Sequence, residues 1–486
     1  MNSFPILPLL LVAPLAGAAL VWLSPRRETA RVLALAASLA TLVLTLLALA
    51  AFDPAQPGFQ LVARHDWIPS IGVRYHVGVD GISLPFLPLA ALLFGSVLLA
   101  SWNAVHVLPR LYYSLLLLLE AATLGVFCAL DTMLFFLCWE LTLPPLYFLV
   151  SLWGLGPERR HAAAKYTLVM LAGGVPLLFG FLLLAFAGGG APVFDLPALL
   201  AMPLPRHVEY AVFLLLLAGF GAKLPLFPLH TWLPLLAMEG PAGVAALVTG
   251  LKLGAYGLIR FAVPLAPGAA QDLHWLLAGF GVVAMLYGAA VALAQTNLRR
   301  MLAYASLSHV GLVVLGVASF NAQGLQGAIF QLLVFPLAAG GLFLLAGALH
   351  QRTGSTDVAD LGGVAQGMPR LAGFFLLFGL AGMGLPGTAG FPGELLILVS
   401  SFERHAGAGM AALATMVLGA AYFLGVYRQA FFGHVLRAEV RQAVDLKPRE
   451  FWPALVFAAL LLLFGLFPGS LLELLRPAAA AWVARL

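Results

Sequence analysis

Residues 221–234 read GAKLPLFPLHTWLP, and this stretch decides the fold. It ends a long apolar run, carries Lys223, and is punctuated by Pro225, Pro228 and Pro234. An apolar run of about 20 residues spans a bilayer as a helix. Prolines open that helix and free backbone groups, which lipid will not satisfy. A lysine beside such an opening belongs next to a cavity inside a helix bundle. Residues 382–396, GMGLPGTAGFPGELL, repeat the pattern with Pro386, Pro392, five glycines between 382 and 393, and Glu394 just after the break.

Apolar runs of the same length recur on both sides of these two stretches. The 486-residue chain is 62% hydrophobic and 9% charged, with mean hydropathy +1.01. A soluble domain carries roughly 25% charged residues. The chain therefore reads as an all-α polytopic membrane protein, since a barrel would show short alternating segments. About fourteen spans can be counted: 5–23, 32–51, 81–102, 111–129, 132–153, 164–187, 209–234, 241–263, 273–295, 301–319, 324–349, 371–402, 408–431 and 452–472. The first lacks a basic leader and is long for a signal-peptide core, so it reads as a retained helix. The longest polar gap, 52–79, contains Pro, Gly and His and reads as a surface loop.

Lys and Arg divide unevenly between the two sets of loops. With the N-terminus outside, and residues near span ends counted with the adjoining loop, sixteen of the 25 fall on the inner side and seven, Arg260 among them, on the outer side, while Lys223 and Lys252 lie deep within spans. The positive-inside rule then predicts both termini on the outer side. The net charge of +5 reflects this topology, not nucleic-acid binding.

The breaks in spans seven and twelve also suggest an internal repeat, the signature of inverted-repeat transporters. Lys223 precedes Glu394 by 171 positions, and Glu140 precedes His309 by 169. The predicted organisation is three N-terminal spans (1–110), a first half with spans four to eight (111–263), a second half with spans nine to thirteen (264–432), and a last span (433–486).

The titratable groups inside these spans carry the chemistry. An intramembrane lysine costs about 2.5–3.5 kcal/mol on insertion scales and marks function by default. Unlike arginine, it loses its proton when desolvated. Glu140, in LFFLCWELTLPPLYFL (134–149), and Lys223 form a candidate switch in which pairing holds a proton and separation releases it. A structural ion pair between spans five and seven is the plainer alternative. Lys252, in ALVTGLKLGAYGLIRF (246–261), lies about ten residues from either end of its span, too far to snorkel easily. It reads as a relay lysine.

Glu394 reads as a terminal proton acceptor or as a cap on freed amides. Glu120 is either a second partner for a lysine or a packing residue. His230 and His309 titrate in a range suited to proton hopping, or are satisfied core residues. Ser306 and Ser308 flank the route beside His309. Asp80, Asp131 and Glu239 lie near helix ends and read as caps or interface anchors. Cys128 and Cys138 lack a second ligand pair, so no metal or disulfide is expected. No cofactor-binding motif occurs, which leaves proton transfer as the expected chemistry.

Together these motifs resemble the antiporter-like proton-pumping subunits of respiratory complex I, the NADH–quinone oxidoreductase, and specifically its M-type. The resemblance rests on VDGISLPFLPL (79–89), LLLEAATLGVFCALDTMLFFLCWELTLPPLYFLVSLWG (117–154), KLPLFPLHTWLP (223–234), RRMLAYASLSHVGLVVLG (299–316), LPGTAGFPGELLIL (385–398) and LGAAYFLGVYRQAFFG (418–433). Glu394 after the break, where L- and N-type paralogues carry lysine, points to the M-type. So does a chain that ends soon after span fourteen, without a lateral helix.

The resemblance implies that Glu140 and Lys223 are the family's charge pair, Lys252 its central lysine and Glu394 its exit-side glutamate. It implies a bacterial cytoplasmic membrane and flanking L- and N-type subunits. NAD, flavin, iron–sulfur clusters and quinone are then confined to partner subunits. Paralogous settings are an Mrp-type cation/proton antiporter, a membrane-bound hydrogenase or a carbon dioxide-uptake complex. Two departures stand out. LLAMEGP (235–241) replaces an Asp-Ala-His-like stretch, and Phe335 stands where many relatives place a histidine.

Overall fold

The structure, a computed structural model, describes residues 5–56, 58–435 and 437–486. The chain is mostly helical, as its composition predicts, and among the described residues eleven helices are long and apolar enough to cross a membrane. Two shorter apolar helices, Phe86–Ala100 and Pro369–Gly382, lie among them. Burial separates an interior from a rim. The apolar windows of Pro109–Cys128, Leu298–Ala318 and Ala322–Thr353 are each 89% buried, against 33% for Ile6–Leu23 and 22% for Pro448–Leu466. Helices that are apolar all round suit either a protein or a lipid environment, so position in the bundle decides which they meet.

Local sequence sets several helix boundaries. Asp131 caps helix Thr132–Leu141 by accepting from the Met133 and Leu134 amides at 2.9 and 3.0 Å, as a cap residue should. Asn297 caps Leu298–Ala318 through the Arg299 and Arg300 amides. Pro144 and Pro145 start a new helix, Leu143–Trp153, so the expected fifth span bends at Thr142 instead of running straight.

Three expectations need correction. The gap read as a surface loop contains an antiparallel hairpin, Gln60–Ile68 with Val73–Val79. Its turn ends at Gly72, whose φ of +75° favours a residue without Cβ. The second strand is buried along most of its length. His76 on that strand meets Asp195 at 2.6 Å. Burial pushes the Asp195 carboxyl up, but the His76 and Arg64 contacts hold it below its ordinary value. Past Pro448–Leu466, the chain forms a further helix, Gly469–Val483, which packs back through a 2.8 Å bond from Trp482 Nε1 to the Ile259 carbonyl.

Arg260, counted above among outer-loop arginines, is only 7% exposed. It lies in a π-turn, Leu258–Ala262, where both terminal guanidinium nitrogens hold the Asp80 carboxylate. The Ile82 and Ser83 amides, each at 3.0 Å, and the Tyr256 hydroxyl complete the network. Asp80 is thus half of a buried ion pair and not merely a cap.

Removing one member of such a pair strands the other charge, at a cost of about 3–5 kcal/mol. We expect Asp80→Ala to lower the denaturation midpoint of the solubilised protein sharply, and Asp80→Ala with Arg260→Met to recover much of the loss. A double variant no better than the single one would contradict the pairing.

Candidate functional site

Three interruptions of helix lie within the bundle. The first follows helix Arg206–Lys223. Backbone amides of Leu224 and Leu226 turn back to Phe220 and Gly221 carbonyls at 2.8 and 2.9 Å, and the chain resumes as Trp232–Glu239. Trp232 Nε1 donates to the freed Ala222 carbonyl at 3.0 Å.

The second interruption was not anticipated, because it holds no proline. Helix Ala242–Gly250 stops, Lys252 occupies the gap, and Leu253–Gly257 runs into the π-turn. Glycine permits the close approach here. A Cβ on Gly254 would sit 2.5 Å from the Leu224 nitrogen, so the first two breaks pack directly together. The third lies between Pro369–Gly382 and Gly390–Arg404. Gly384 has φ of +70°, and the Ala389 amide donates to the Leu461 carbonyl at 2.8 Å.

Each break presents a titratable side chain. Lys223 Nζ donates to the Thr142 hydroxyl at 2.7 Å and the Trp139 carbonyl at 3.2 Å, and lies 4.0 Å from the Trp139 ring centre. These partners flank Glu140, yet among the described residues no ion pair joins Glu140 to Lys223. The ammonium is held by a carbonyl, a hydroxyl and a ring, while the Glu140 carboxylate turns toward Gly174, where a Cβ would come within 2.4 Å of Oε1. That oxygen is buried and has no partner within the protein. The expected pair is adjacent but separated.

Lys252 is 6% exposed and donates to the Ser306 hydroxyl. Phe335 lies close to both neighbours, its ring centre 5.7 Å from Lys252 Nζ and 6.0 Å from the His309 ring. Glu394 is 2% exposed. Its Oε1 receives a long 3.5 Å contact from Gln331 Nε2, and its Oε2 has no partner within the protein. Gly384 leaves room for that carboxylate, as Gly174 does for Glu140.

Small cavities lie between these groups. One of about 40 Å³ is lined by Lys223, Thr142, Tyr166, and Leu251 and Leu253 on either side of Lys252. A second, of about 30 Å³, is lined by Ser306, His309, Gln331, Phe335 and Gly382. A third, of about 20 Å³, is lined by His309, Glu394, Thr415 and Tyr422. A cavity needs roughly 10–15 Å³ and polar partners to hold a water. All three are large enough, and His309 forms a wall shared by two of them.

The remaining expected residues fall elsewhere. Glu120 is fully buried and accepts from Ser38 at 3.0 Å, so its partner is a hydroxyl rather than a lysine. His230 stacks on Phe227 and meets Tyr287 edge-on, with ring centres 5.5 and 5.0 Å away. Ser308 donates to the Met285 carbonyl at 3.0 Å, although it also borders the third cavity. Thr142 and Gln331 were missed. Their signal was an isolated polar residue in an apolar run, beside Glu140 and one turn from Phe335.

This architecture matches known proteins. The family model described as NADH:quinone oxidoreductase/Mrp antiporter, transmembrane, matches residues 129–419. The chain belongs to this family. It is 38% identical to NAD(P)H-quinone oxidoreductase chain 4 2 of Microcystis aeruginosa, over 96% of this chain and 90% of the relative. It is 38% identical to F(420)H(2) dehydrogenase subunit M of Methanosarcina mazei, over 97% of this chain and 96% of the relative. Among solved structures, respiratory complex I from Thermus thermophilus with bound NADH contains a chain that superposes with a TM-score of 0.91 at 34% identity, covering 99% of both chains. The subunit M and chain 4 names agree with the M-type resemblance read from Glu394.

The Trp232 bond at the first break gives a direct structural test. Trp232→Phe keeps an aromatic side chain but removes the indole N–H and some volume, leaving the buried Ala222 carbonyl unpartnered at a cost of about 1–3 kcal/mol. We expect a lower denaturation midpoint for the solubilised protein. An unchanged midpoint would contradict the role of this bond in closing the break.

Proposed function

We propose that this chain is the proton-translocating M-type membrane subunit of a bacterial quinone oxidoreductase of the complex I kind. Protons move through it along Glu140, Lys223, Lys252, Ser306, His309 and Glu394, with Gln331 and water completing the links. The chain supplies no redox centre of its own. NAD, flavin, iron–sulfur clusters and quinone belong to partner subunits, and quinone reduction there drives the transfer. The M. aeruginosa and M. mazei relatives are named for different electron donors, NAD(P)H and F420H2, which fits a membrane subunit indifferent to the donor. Its membrane neighbours are then L- and N-type subunits in the cytoplasmic membrane.

The observation that carries this reading is the convergence of three helix breaks on Lys223, Lys252 and Glu394, with cavities of water size between them. Unwound backbone at membrane depth is tolerated only where it is buried in protein or lines a cavity. Counting each broken helix as one crossing gives fourteen crossings with both termini outside. Two of the three broken crossings, Arg206–Glu239 and Pro369–Arg404, correspond in two inverted five-helix halves, about 111–263 and 264–432, and the break at Lys252 falls in the last crossing of the first half. The separation of Glu140 from Lys223 is then one state of a switch whose other state is the closed pair. Removing the lysine in either state deprives the route of a proton carrier.

In vesicles containing the assembled complex, Lys223→Ala and Lys252→Ala should each lower proton pumping by about 10²-fold, the lower range for loss of a positioned proton donor. Glu394→Gln should lower pumping while leaving the amount of assembled complex unchanged. Pumping that survives both lysine changes would reduce the buried charges to helix packing. Gly174→Ala separates position from chemistry, because the new methyl meets only the flexible end of Glu140. We expect normal assembly with pumping impaired on the order of 10²-fold, the scale of a 1 Å misplacement. Normal pumping would show that the Glu140 position does not matter.

A further inference from the structure

A separate feature lies at one end of the bundle, away from the row of titratable groups. A cavity of about 150 Å³ opens there, lined mostly by apolar groups including Tyr112, Trp153, Phe378 and Phe457, with Arg449 at its border. The Glu450 carboxylate at the same border is neutralised by Arg352. Arg449 has no ion-pair partner among the described residues, and its Nε is buried without a hydrogen bond.

Two more arginines share this condition. The Nε atoms of Arg27 and Arg31 are also buried and unpartnered. Arg31 stacks over Trp102 at 4.9 Å and pairs only with Glu28, which is 81% exposed. Arg27 meets a histidine, His106, at 3.0 Å, and no carboxylate. An independent observation marks the same point. The Tyr113 ring is buried, its hydroxyl is unpartnered, and it packs edge-on at 5.5 Å against Tyr112, which lines the cavity together with Ser101 and Arg449. Arg449 thus borders the cavity, Arg31 holds Trp102 next to the cavity-lining Ser101, and Arg27 lies one turn before Arg31 on the same helix, with the exposed Glu28 as their one carboxylate among the described residues.

We propose that this end of the protein binds an acidic phospholipid. Its phosphate is held by Arg27, Arg31, Arg449 and the Tyr113 hydroxyl, and one acyl chain enters the cavity bordered by Ser101 and Tyr112. Guanidinium groups suit phosphate because they present a planar fork of donors. A basic pocket between transmembrane helices is the expected form of a headgroup site. The apolar walls distinguish a lipid from a free anion, since inorganic phosphate gains nothing from them. The proposal stands apart from the proton route and survives if that route is wrong.

The test is native mass spectrometry of the delipidated, detergent-solubilised complex with phosphatidylglycerol, phosphatidylcholine or inorganic phosphate added. We expect selective retention of phosphatidylglycerol, not displaced by millimolar phosphate. Arg27→Gln with Arg449→Gln should reduce retention by about tenfold or more, given the contribution of each basic residue near a lipid surface. Ala104→Trp, at an exposed turn bordering the cavity, should block the chain with all arginines intact, and it decides the matter if the arginine variant fails to assemble. Equal retention of phosphatidylcholine, or unchanged retention in Ala104→Trp, overturns the proposal. Displacement by phosphate alone reassigns the cluster to a free anion. Loss of a neighbouring subunit from the arginine variant, with lipid retention unchanged, reassigns it to a protein contact.

Discussion

A helix that stops inside a membrane leaves amides and carbonyls that lipid cannot satisfy. The rest of this structure follows from how that problem is met at three places. Trp232 reaches the Ala222 carbonyl, the Ala389 amide reaches Leu461, and Gly254 lets the second break lie against the first. The first is closed within its own crossing and the other two against neighbouring helices, so each break is held to the bundle although Leu229 and Leu385 at the edges of two of them are exposed. A lysine or glutamate placed at a break is thereby held inside the bundle, where its own charge requires a partner or a water-filled space.

The polar groups along this line are under-satisfied within the protein. Glu140 Oε1, Glu394 Oε2 and Gln331 Oε1 are all buried and lack protein partners. A buried orphan costs about 1–3 kcal/mol, so a stable fold gathers few of them unless water or an alternative pairing serves them. Lys223 has such alternative partners, since its donors rest on the Trp139 carbonyl and Thr142, one residue before and two residues after Glu140. Phe335 adds a constraint of its own. Its ring occupies space beside both Lys252 and His309, so a hydrated link between them must pass around it.

Much of this was legible in the sequence for physical reasons. Apolar length reveals the crossings, and Pro225, Pro228, Pro386 and Pro392 reveal two of the breaks because proline removes a donor and kinks the helix. The break at Lys252 was hidden, since Gly250, Gly254 and Gly257 bend a helix without forbidding one. Arg260 was misassigned because its partner, Asp80, lies 180 residues away, and position near a span end looks the same for a loop arginine and a buried one. The hairpin was missed because Pro, Gly and His in the gap outweighed the alternation in its second strand. Ser306, rather than Ser308, met Lys252 because which of two nearby hydroxyls faces a neighbouring helix depends on helix rotation, which local sequence does not set.

The central claim is that water joins these buried groups into one continuous route. The most direct measurement is a high-resolution density map of the assembled complex in a lipid environment, with ordered waters resolved. The account predicts waters in the cavities beside Lys223, beside Gln331 and beside Glu394, linked by hydrogen bonds through Lys252 and His309. A dry, apolar gap separating Lys252 from Glu394, with no water within hydrogen-bonding distance of His309 in any state of the working complex, would contradict it.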